Sequence, residues 1–331
     1  MRQSRGKLLV GVTANRRDDF EPLKRYADVY WLDDLDDKEQ AKLLPLIDCV
    51  YSHGWPKALD GKVSKMNGLR LYQAGNAGVS AIRFDLLGKD VTICSNAGAY
   101  SDEVAEFVIG LMLASGKSII KFDRQLRTGV FTRKRSADLG RQVTLYAGKT
   151  LGIVGYGGIG RSTARFAKPF RMNVLAFGRH PTKDRGVKVL RGRGGLLKLL
   201  RESDVVVLAV PLTNETKGMI GQAELAAMKR DAMLINVARG EVVQKRPVYE
   251  HLVKNPGFHY ATDVWWPDST GMETFSPDLP FLELENFIGT PHASGTSAII
   301  SGSVMKGVVE NLTRFYKGER LKNVVDKSEY A

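Results

Sequence analysis

The segment Leu151-Gly152-Ile153-Val154-Gly155-Tyr156-Gly157-Gly158-Ile159-Gly160 decides how this chain is read. Its apolar first part has the length and composition of a short buried strand. Gly155, Gly157 and Gly160 then follow at the spacing G-x-G-x-x-G. With 34 glycines in 331 residues, that spacing alone carries little weight. Its flanks carry more. Residues 161–170 read as a helix, and Asn173-Val174-Leu175-Ala176-Phe177 as the next strand. Strand, glycine turn, helix, strand is the unit that seats the pyrophosphate of a dinucleotide. Gly155 is expected to make the tight turn, Gly157 to admit the phosphates, and Gly160 to let helix and strand close up. Gly158 and Ile159 fall at the helix start, where free N–H groups face an anion. The alternative is a glycine-rich turn with no ligand.

One step outward, the end of the second strand speaks to the choice of dinucleotide. A site for NAD places Asp or Glu there, about twenty residues after the glycines, to bind the ribose 2′-hydroxyl. This chain has Gly178-Arg179-His180, with Lys183 close by. A carboxylate would repel a 2′-phosphate, whereas glycine leaves room and arginine supplies a charge-assisted donor. The expected cofactor is therefore NADP, with NAD possible.

Charge points the same way. Residues 101–200 hold 20 Lys/Arg against 6 Asp/Glu, leaving 29 against 30 for the rest of the chain. The whole excess thus sits around the glycine turn, where a polyanionic ligand would use it. Nucleic acid is not expected as a partner, because no nucleic-acid motif accompanies the charge.

The length suggests two domains. The composition, 43% hydrophobic and 26% charged, is that of a soluble globular protein. Cys49 and Cys94 are far apart and lack metal-ligand spacing, so no bound metal and no disulfide scaffold are expected. No signal peptide or membrane span is legible, and the chain is expected to be cytoplasmic.

Before residue 100, four short apolar runs read as strands: 7–13, 48–52, 69–73 and 91–94. Helices are expected near 38–45 and 79–87. A strong helix signal runs over 101–118, with Ser101 as its cap and Asp102 and Glu103 in its first turn. Residues 117–141 read as a connection with a helical piece of its own. Further strands are expected at 204–209, 233–237, 259–263 and 287–290, and helices at 195–201, 222–229, 245–254 and 296–316. Such alternation means parallel sheets covered by helices on both faces. The fold class is α/β: two Rossmann-like doubly wound domains, a flavodoxin-like substrate domain and an NAD(P)-binding Rossmann domain, with a cleft between them. The expected boundaries are 1–98 plus 293–331 for the substrate-binding domain and 99–292 for the dinucleotide-binding domain.

Several further segments fall where α/β folds gather ligand groups, at strand ends. They are Val210-Pro211-Leu212-Thr213, Asn236-Val237-Ala238-Arg239-Gly240, Asp263-Val264-Trp265-Trp266-Pro267-Asp268 and Thr290-Pro291-His292-Ala293-Ser294-Gly295. With Asn76-Ala77-Gly78 and Val104-Ala105-Glu106, their order and spacing resemble the D-2-hydroxyacid dehydrogenases. The likeness runs from about Leu69 to Val325; residues 1–60 match loosely.

The resemblance implies an arginine, a histidine and an acid as catalytic groups. Reducing a 2-keto acid needs a grip on its carboxylate, which a guanidinium fork provides, so Arg239 takes that role. It also needs a proton for the carbonyl oxygen, and His292 titrates in the right range to supply one. A neighbouring carboxylate is expected to orient the ring and favour the imidazolium. Here the sequence departs from the family, which usually has Glu where this chain has Asp268. The resemblance also assigns Val104, Val210, Pro211, Thr216, Val237, Ala238, Asp263, Ser294 and Gly295 to the cofactor. Asn76, Ala77 and Gly78 are assigned to the substrate carboxylate through backbone N–H groups, with His53 and Tyr100 on loops facing the substrate.

The function expected is NADPH-dependent reduction of a small 2-keto acid such as glyoxylate or hydroxypyruvate. Phosphoglycerate or formate dehydrogenase, or a dinucleotide-sensing corepressor-like interaction protein, are the alternatives. Asp268, where formate dehydrogenases have Gln, speaks against the formate reading. The resemblance further implies a homodimer joined through the cofactor domains.

Overall fold

A computed structural model describes residues 6–13, 20–131, 143–182, 184–267, 275–296 and 300–330. The chain divides into two compact units, one of Met1–Tyr100 with Ser297–Ala331 and one of Ser101–Thr296.

The first unit is built on strands β1 (Leu8–Thr13), β2 (Ala27–Trp31), β3 (Cys49–Ser52), β4 (Leu71–Ala74) and β5 (Thr92–Cys94). They form one parallel sheet in the order β2-β1-β3-β4-β5, the flavodoxin-like order. Strands β3 and β4 are buried throughout, which explains their unbroken apolar runs: both sheet faces are covered. Helix α1 (Asp37–Leu43) starts in a capping box, Asp36 accepting from the Glu39 N–H and Glu39 accepting from the Asp36 N–H. Residues 60–63 form a short helix, α2.

The C-terminal segment completes this unit. Its helix, Ile300–Lys317, buries Met305, Val308 and Leu312 against Val10, Tyr51 and Leu71. Asn311 then locks the tail: its side-chain N–H groups donate to Gln73 Oε1 (2.8 Å) and the Lys322 carbonyl (3.0 Å), and its Oδ1 accepts the Lys322 N–H. A buried amide satisfied on both sides is what lets the chain end return to the sheet.

Three expectations fail here. Strand β2 is missing from the sequence reading because it is an edge strand, buried only at Ala27, and so lacks a core-strand pattern. The helix expected over 79–87 is reduced to a single 3₁₀ turn at Phe84–Leu86. Val79, Ile82 and Leu87 are buried as the pattern implied. However, Arg83 leaves helical geometry (ψ 81°) and is clamped by Asp85, and nine residues are too few to enforce a helix unaided. Ser101, expected as a cap, is instead the first residue within helix α3 (Ser101–Gly116), and its hydroxyl is buried without a partner.

In the second unit, α3 is followed by α4 (Ile119–Arg127), β6 (Thr150–Val154), α5 (Gly158–Ala167), β7 (Asn173–Phe177), β8 (Val187–Leu190), α6 (Gly192–Glu202) and β9 (Val205–Leu208). Then come α7 (Gln222–Ala227), β10 (Met233–Asn236), α8 (Lys245–Lys254), β11 (His259–Thr262) and β12 (Phe287–Gly289); the C-terminal helix of the first unit is α9. The parallel sheet runs β12-β11-β10-β9-β6-β7-β8. Growth from β6 goes one way to β7 and β8, then reverses to β9. That reversal is a topological switch point, and the glycine turn lies at it. Strand β8, which carries one buried residue, was not anticipated, for the same reason as β2. Helix α3 packs on α5, where Asp102 accepts from the Ser162 hydroxyl and from Arg165.

Candidate active site

At the end of β6 the three glycines are required for different reasons. Gly155 has φ +101°, and a Cβ there would stand 2.5 Å from the Ala209 carbonyl oxygen and 2.8 Å from Val210 N. A Cβ on Gly160 would stand 2.3 Å from the Gly155 carbonyl oxygen. Both positions exclude side chains through packing. Gly157 has no atom within 4 Å of the place its Cβ would occupy, and its backbone is extended. It therefore leaves open space directly at the start of α5, which no side chain caps. Gly158 and Ile159 open that helix, whose uncompensated N–H groups suit a phosphate. The residues present thus fit a dinucleotide.

Beside the turn, Gly178 donates its N–H to the Leu190 carbonyl (3.2 Å). A Cβ there would make ordinary contacts only, at 3.7–3.9 Å, so packing does not demand glycine. Arg179 and His180 are exposed. Lys183 lies outside the described residues.

The loop after β9 is held by Thr216, whose hydroxyl donates to the Pro211 carbonyl (2.6 Å) and accepts the Thr213 N–H (2.8 Å). That fixes Val210 and Pro211 next to Gly155. Val104, from α3, is buried.

After β10, Asn236 folds the Arg239 loop. Its Oδ1 accepts the Ala238 N–H (3.0 Å) and its Nδ2 donates to the Arg239 carbonyl (2.9 Å). Val237 and Ala238 are buried, and half-buried Arg239 donates from Nη1 to the Ala238 carbonyl (2.7 Å). Gly240 passes under the Trp265–Trp266 backbone, where a Cβ would stand 2.3 Å from the Trp265 carbonyl oxygen.

Asp263, at the end of β11, is fully buried. Its Oδ1 accepts the Thr290 hydroxyl (2.6 Å) and the Ala293 N–H (2.9 Å), and its Oδ2 accepts the Ser294 N–H (2.9 Å). One carboxylate thereby brackets His292, which sits at φ +57°. A non-glycine residue in that region is held by its surroundings, and such strain gathers at functional loops. Ser294 is buried and Gly295 half-buried on the same loop.

His292 keeps an exposed side chain. Desolvation by the surrounding loops and then the Arg239 guanidinium push its pKa below the ordinary histidine value, while Asp263 pulls it up. The Arg239 charge therefore acts on the His292 ring. Among the described residues the net push is downward, although the one carboxylate acting there, Asp263, favours the imidazolium. The expected acid, Asp268, lies outside the described residues.

In the first unit, the candidate substrate groups gather at the ends of β3, β4 and β5. His53 bonds the Tyr51 hydroxyl through Nε2 (2.7 Å), and its ring covers Gly75, where a Cβ would be 2.7 Å away. Asn76, Ala77 and Gly78 are half-buried. The Tyr100 hydroxyl donates to the Gly75 carbonyl (3.1 Å), so Tyr100 shapes this turn. Asn96 joins it, donating to the Gly75 carbonyl through Nδ2 and to the Asn76 carbonyl through its N–H. The positioning roles of Asn96, Asn236 and Thr290 were not anticipated. For Asn236, an amide just past an apolar strand was the available signal, since Asn bonds local backbone.

Comparison with known proteins completes the picture. Residues 109–294 match the family model described as D-isomer specific 2-hydroxyacid dehydrogenase, NAD binding domain. A glyoxylate reductase of Korarchaeum cryptofilum is 34% identical over 72% of this chain and 70% of its own. A D-3-phosphoglycerate dehydrogenase of Methanocaldococcus jannaschii is 32% identical over 78% of this chain, which spans about half (48%) of that relative's length. Among solved structures, a D-isomer specific 2-hydroxyacid dehydrogenase of Xanthobacter autotrophicus Py2, in complex with NADPH and MES, aligns with a TM-score of 0.77 at 24% identity. It covers 99% of this chain and 100% of its own. This chain belongs to the D-2-hydroxyacid dehydrogenase family and is an NAD(P)-dependent oxidoreductase.

Proposed function

We propose that the chain reduces a small 2-keto acid of the glyoxylate or hydroxypyruvate kind, with NADP as its cofactor and NAD as the weaker choice. Gly155, Gly157, Gly158, Ile159 and Gly160 would hold the pyrophosphate. Gly178, Arg179, His180 and Lys183 would border the 2′-phosphate. Val104, Val210, Pro211, Thr216, Val237, Ala238, Asp263, Ser294 and Gly295 would line the rest. When bound, the nicotinamide supplies the hydride.

The chain's own residues do the remaining work. Arg239 grips the carboxylate with two parallel N–H donors and polarises the ketone. His292, as imidazolium, gives its proton to the carbonyl oxygen as negative charge grows there. Asp268 is the proposed carboxylate partner that restores the imidazolium. Asn76, Ala77 and Gly78 add backbone donors for the carboxylate, and His53 and Tyr100 border the substrate.

One observation carries this reading: Arg239 and His292 feel each other's charge while Asn236 and Asp263 fix the two loops that bear them. A protein that only sensed a dinucleotide would need neither group. The glyoxylate reductase relative supports the substrate class. A homodimer joined through the cofactor unit is part of the same proposal.

The test is a panel of 2-keto acids followed by nicotinamide absorbance, run with NADPH and with NADH. Glyoxylate or hydroxypyruvate should turn over, faster with NADPH. His292→Ala should abolish turnover and leave NADPH binding intact. A wild-type protein that binds NADPH but turns over no member of the panel would favour the interaction-protein reading instead.

A further inference from the structure

The glycine turn carries an aromatic residue that its phosphate-binding role does not require. Tyr156 stands between Gly155 and Gly157, and its N and Cβ lie 3.7 and 3.8 Å from the place a Cβ on Gly178 would occupy. Its backbone and the root of its ring-bearing side chain therefore lie beside the end of β7. The Arg161 guanidinium, on the opening turns of α5, lies over that ring at 5.7 Å from the centroid. Arg161 is exposed, and no carboxylate pairs with it among the described residues. Desolvation first, and then the nearby Asp184 carboxylate from the connection between β7 and β8, raise the Tyr156 hydroxyl's pKa, so the two groups lie within electrostatic reach. A cation held on an aromatic face has lost much of its rotamer freedom before any anion arrives. One tyrosine thus carries a cation over its ring, with a carboxylate in electrostatic reach of its hydroxyl, next to Gly178-Arg179.

We propose that Tyr156 is a specificity-determining residue for the 2′-substituent of the cofactor's ribose: it holds Arg161 as a second cation for a 2′-phosphate and Asp184 as an acceptor for a free 2′-hydroxyl. The inference rests on the reading that the ribose lies beside Gly178. It goes beyond that reading by assigning two opposed charges to two different cofactors. Arg161 and Arg179 together would clamp a dianion from two elements. Asp184 opposes that dianion and, in its absence, accepts from the hydroxyl as a strand-end carboxylate would. A site with both groups binds NADP more tightly and still admits NAD.

The test is calorimetric titration of the whole protein with 2′,5′-ADP and with 5′-AMP, which differ only in the 2′-phosphate and need no turnover. Arg161→Gln should weaken 2′,5′-ADP about ten-fold or more and leave 5′-AMP within about two-fold. Asp184→Asn should do the opposite, tightening 2′,5′-ADP about three-fold through loss of a like charge and weakening 5′-AMP. Both side chains are exposed, and thermal melts check that the variants fold. Equal loss of both ligands in Arg161→Gln would make Arg161 a general anion attractor and overturn the proposal, as would no loss of either. If wild type binds 2′,5′-ADP no more tightly than 5′-AMP, the NADP reading fails on its own, and the second-cation role of Arg161 with it.

Discussion

The guanidinium of Arg239 lies close enough to His292 to add to desolvation in depressing the imidazole's pKa, against the upward pull of Asp263. This charge relationship has a direct signature. In the free protein, His292 should titrate below 6.5. A neighbouring positive charge disfavours a second one, so Arg239→Gln should raise that pKa. Asp263→Asn should lower it further. NMR titration of the imidazole measures all three, and a downward shift in Arg239→Gln would contradict the geometry.

The same sign governs the pH profile of reduction. The proton donor is the imidazolium, so kcat/KM for the keto acid should fall as pH rises through the free-enzyme pKa of His292. Oxidation of the hydroxy acid, which needs the neutral ring, should rise over the same range. Profiles that run in parallel for both directions would remove His292 from the proton transfer.

Asp263→Ala should cost both stability and rate. It leaves the Ala293 and Ser294 N–H groups and the Thr290 hydroxyl without their acceptor, a penalty of about 2–4 kcal/mol. It also releases the loop that holds His292 in its left-handed conformation. Denaturant unfolding checks the first effect. A fall in kcat larger than any change in cofactor affinity checks the second.

The glycines should separate folding from binding. Gly155→Ala and Gly160→Ala drive a methyl into backbone at 2.5 and 2.3 Å and should destabilise by about 1–3 kcal/mol or more. Gly157→Ala meets no protein atom within 4 Å. It should melt like wild type and yet lose NADPH affinity. Wild-type affinity in Gly157→Ala would mean that the phosphates do not sit there.

Cofactor choice should follow Arg179. Wild type is expected to have a much lower KM for NADPH than for NADH, and Arg179→Asp should reverse the order by repelling the 2′-phosphate. Equal efficiency of wild type with both cofactors would dismiss the NADP assignment.

Much of this architecture was legible in the chain because it is local. Buried parallel strands announce themselves as apolar runs, as β3, β4, β9 and β10 do, each buried at every position. Edge strands β2 and β8 do not, since half-exposed residues carry no such run. The false helix over 79–87 shows the converse error. Its apolar spacing was real and its residues are buried, but a pattern of burial does not dictate a backbone.

By itself, the sequence determined the glycine turn, the alternation that makes the sheets parallel, and the residue types at each strand end. These follow from short-range sterics and from side-chain periodicity. Tertiary structure alone decided what those residues do to one another. Gly155 must be glycine because Ala209, just past the end of β9, stands against it. Asp263 brackets His292 across 29 residues of chain by accepting from Ala293 and Ser294, and the charge of Arg239, from a third strand end, acts on the same imidazole. Electrostatic coupling and hydrogen bonding depend on distances in space. Those distances exist only once β6 and β9–β12 lie side by side and bring their C-terminal ends together.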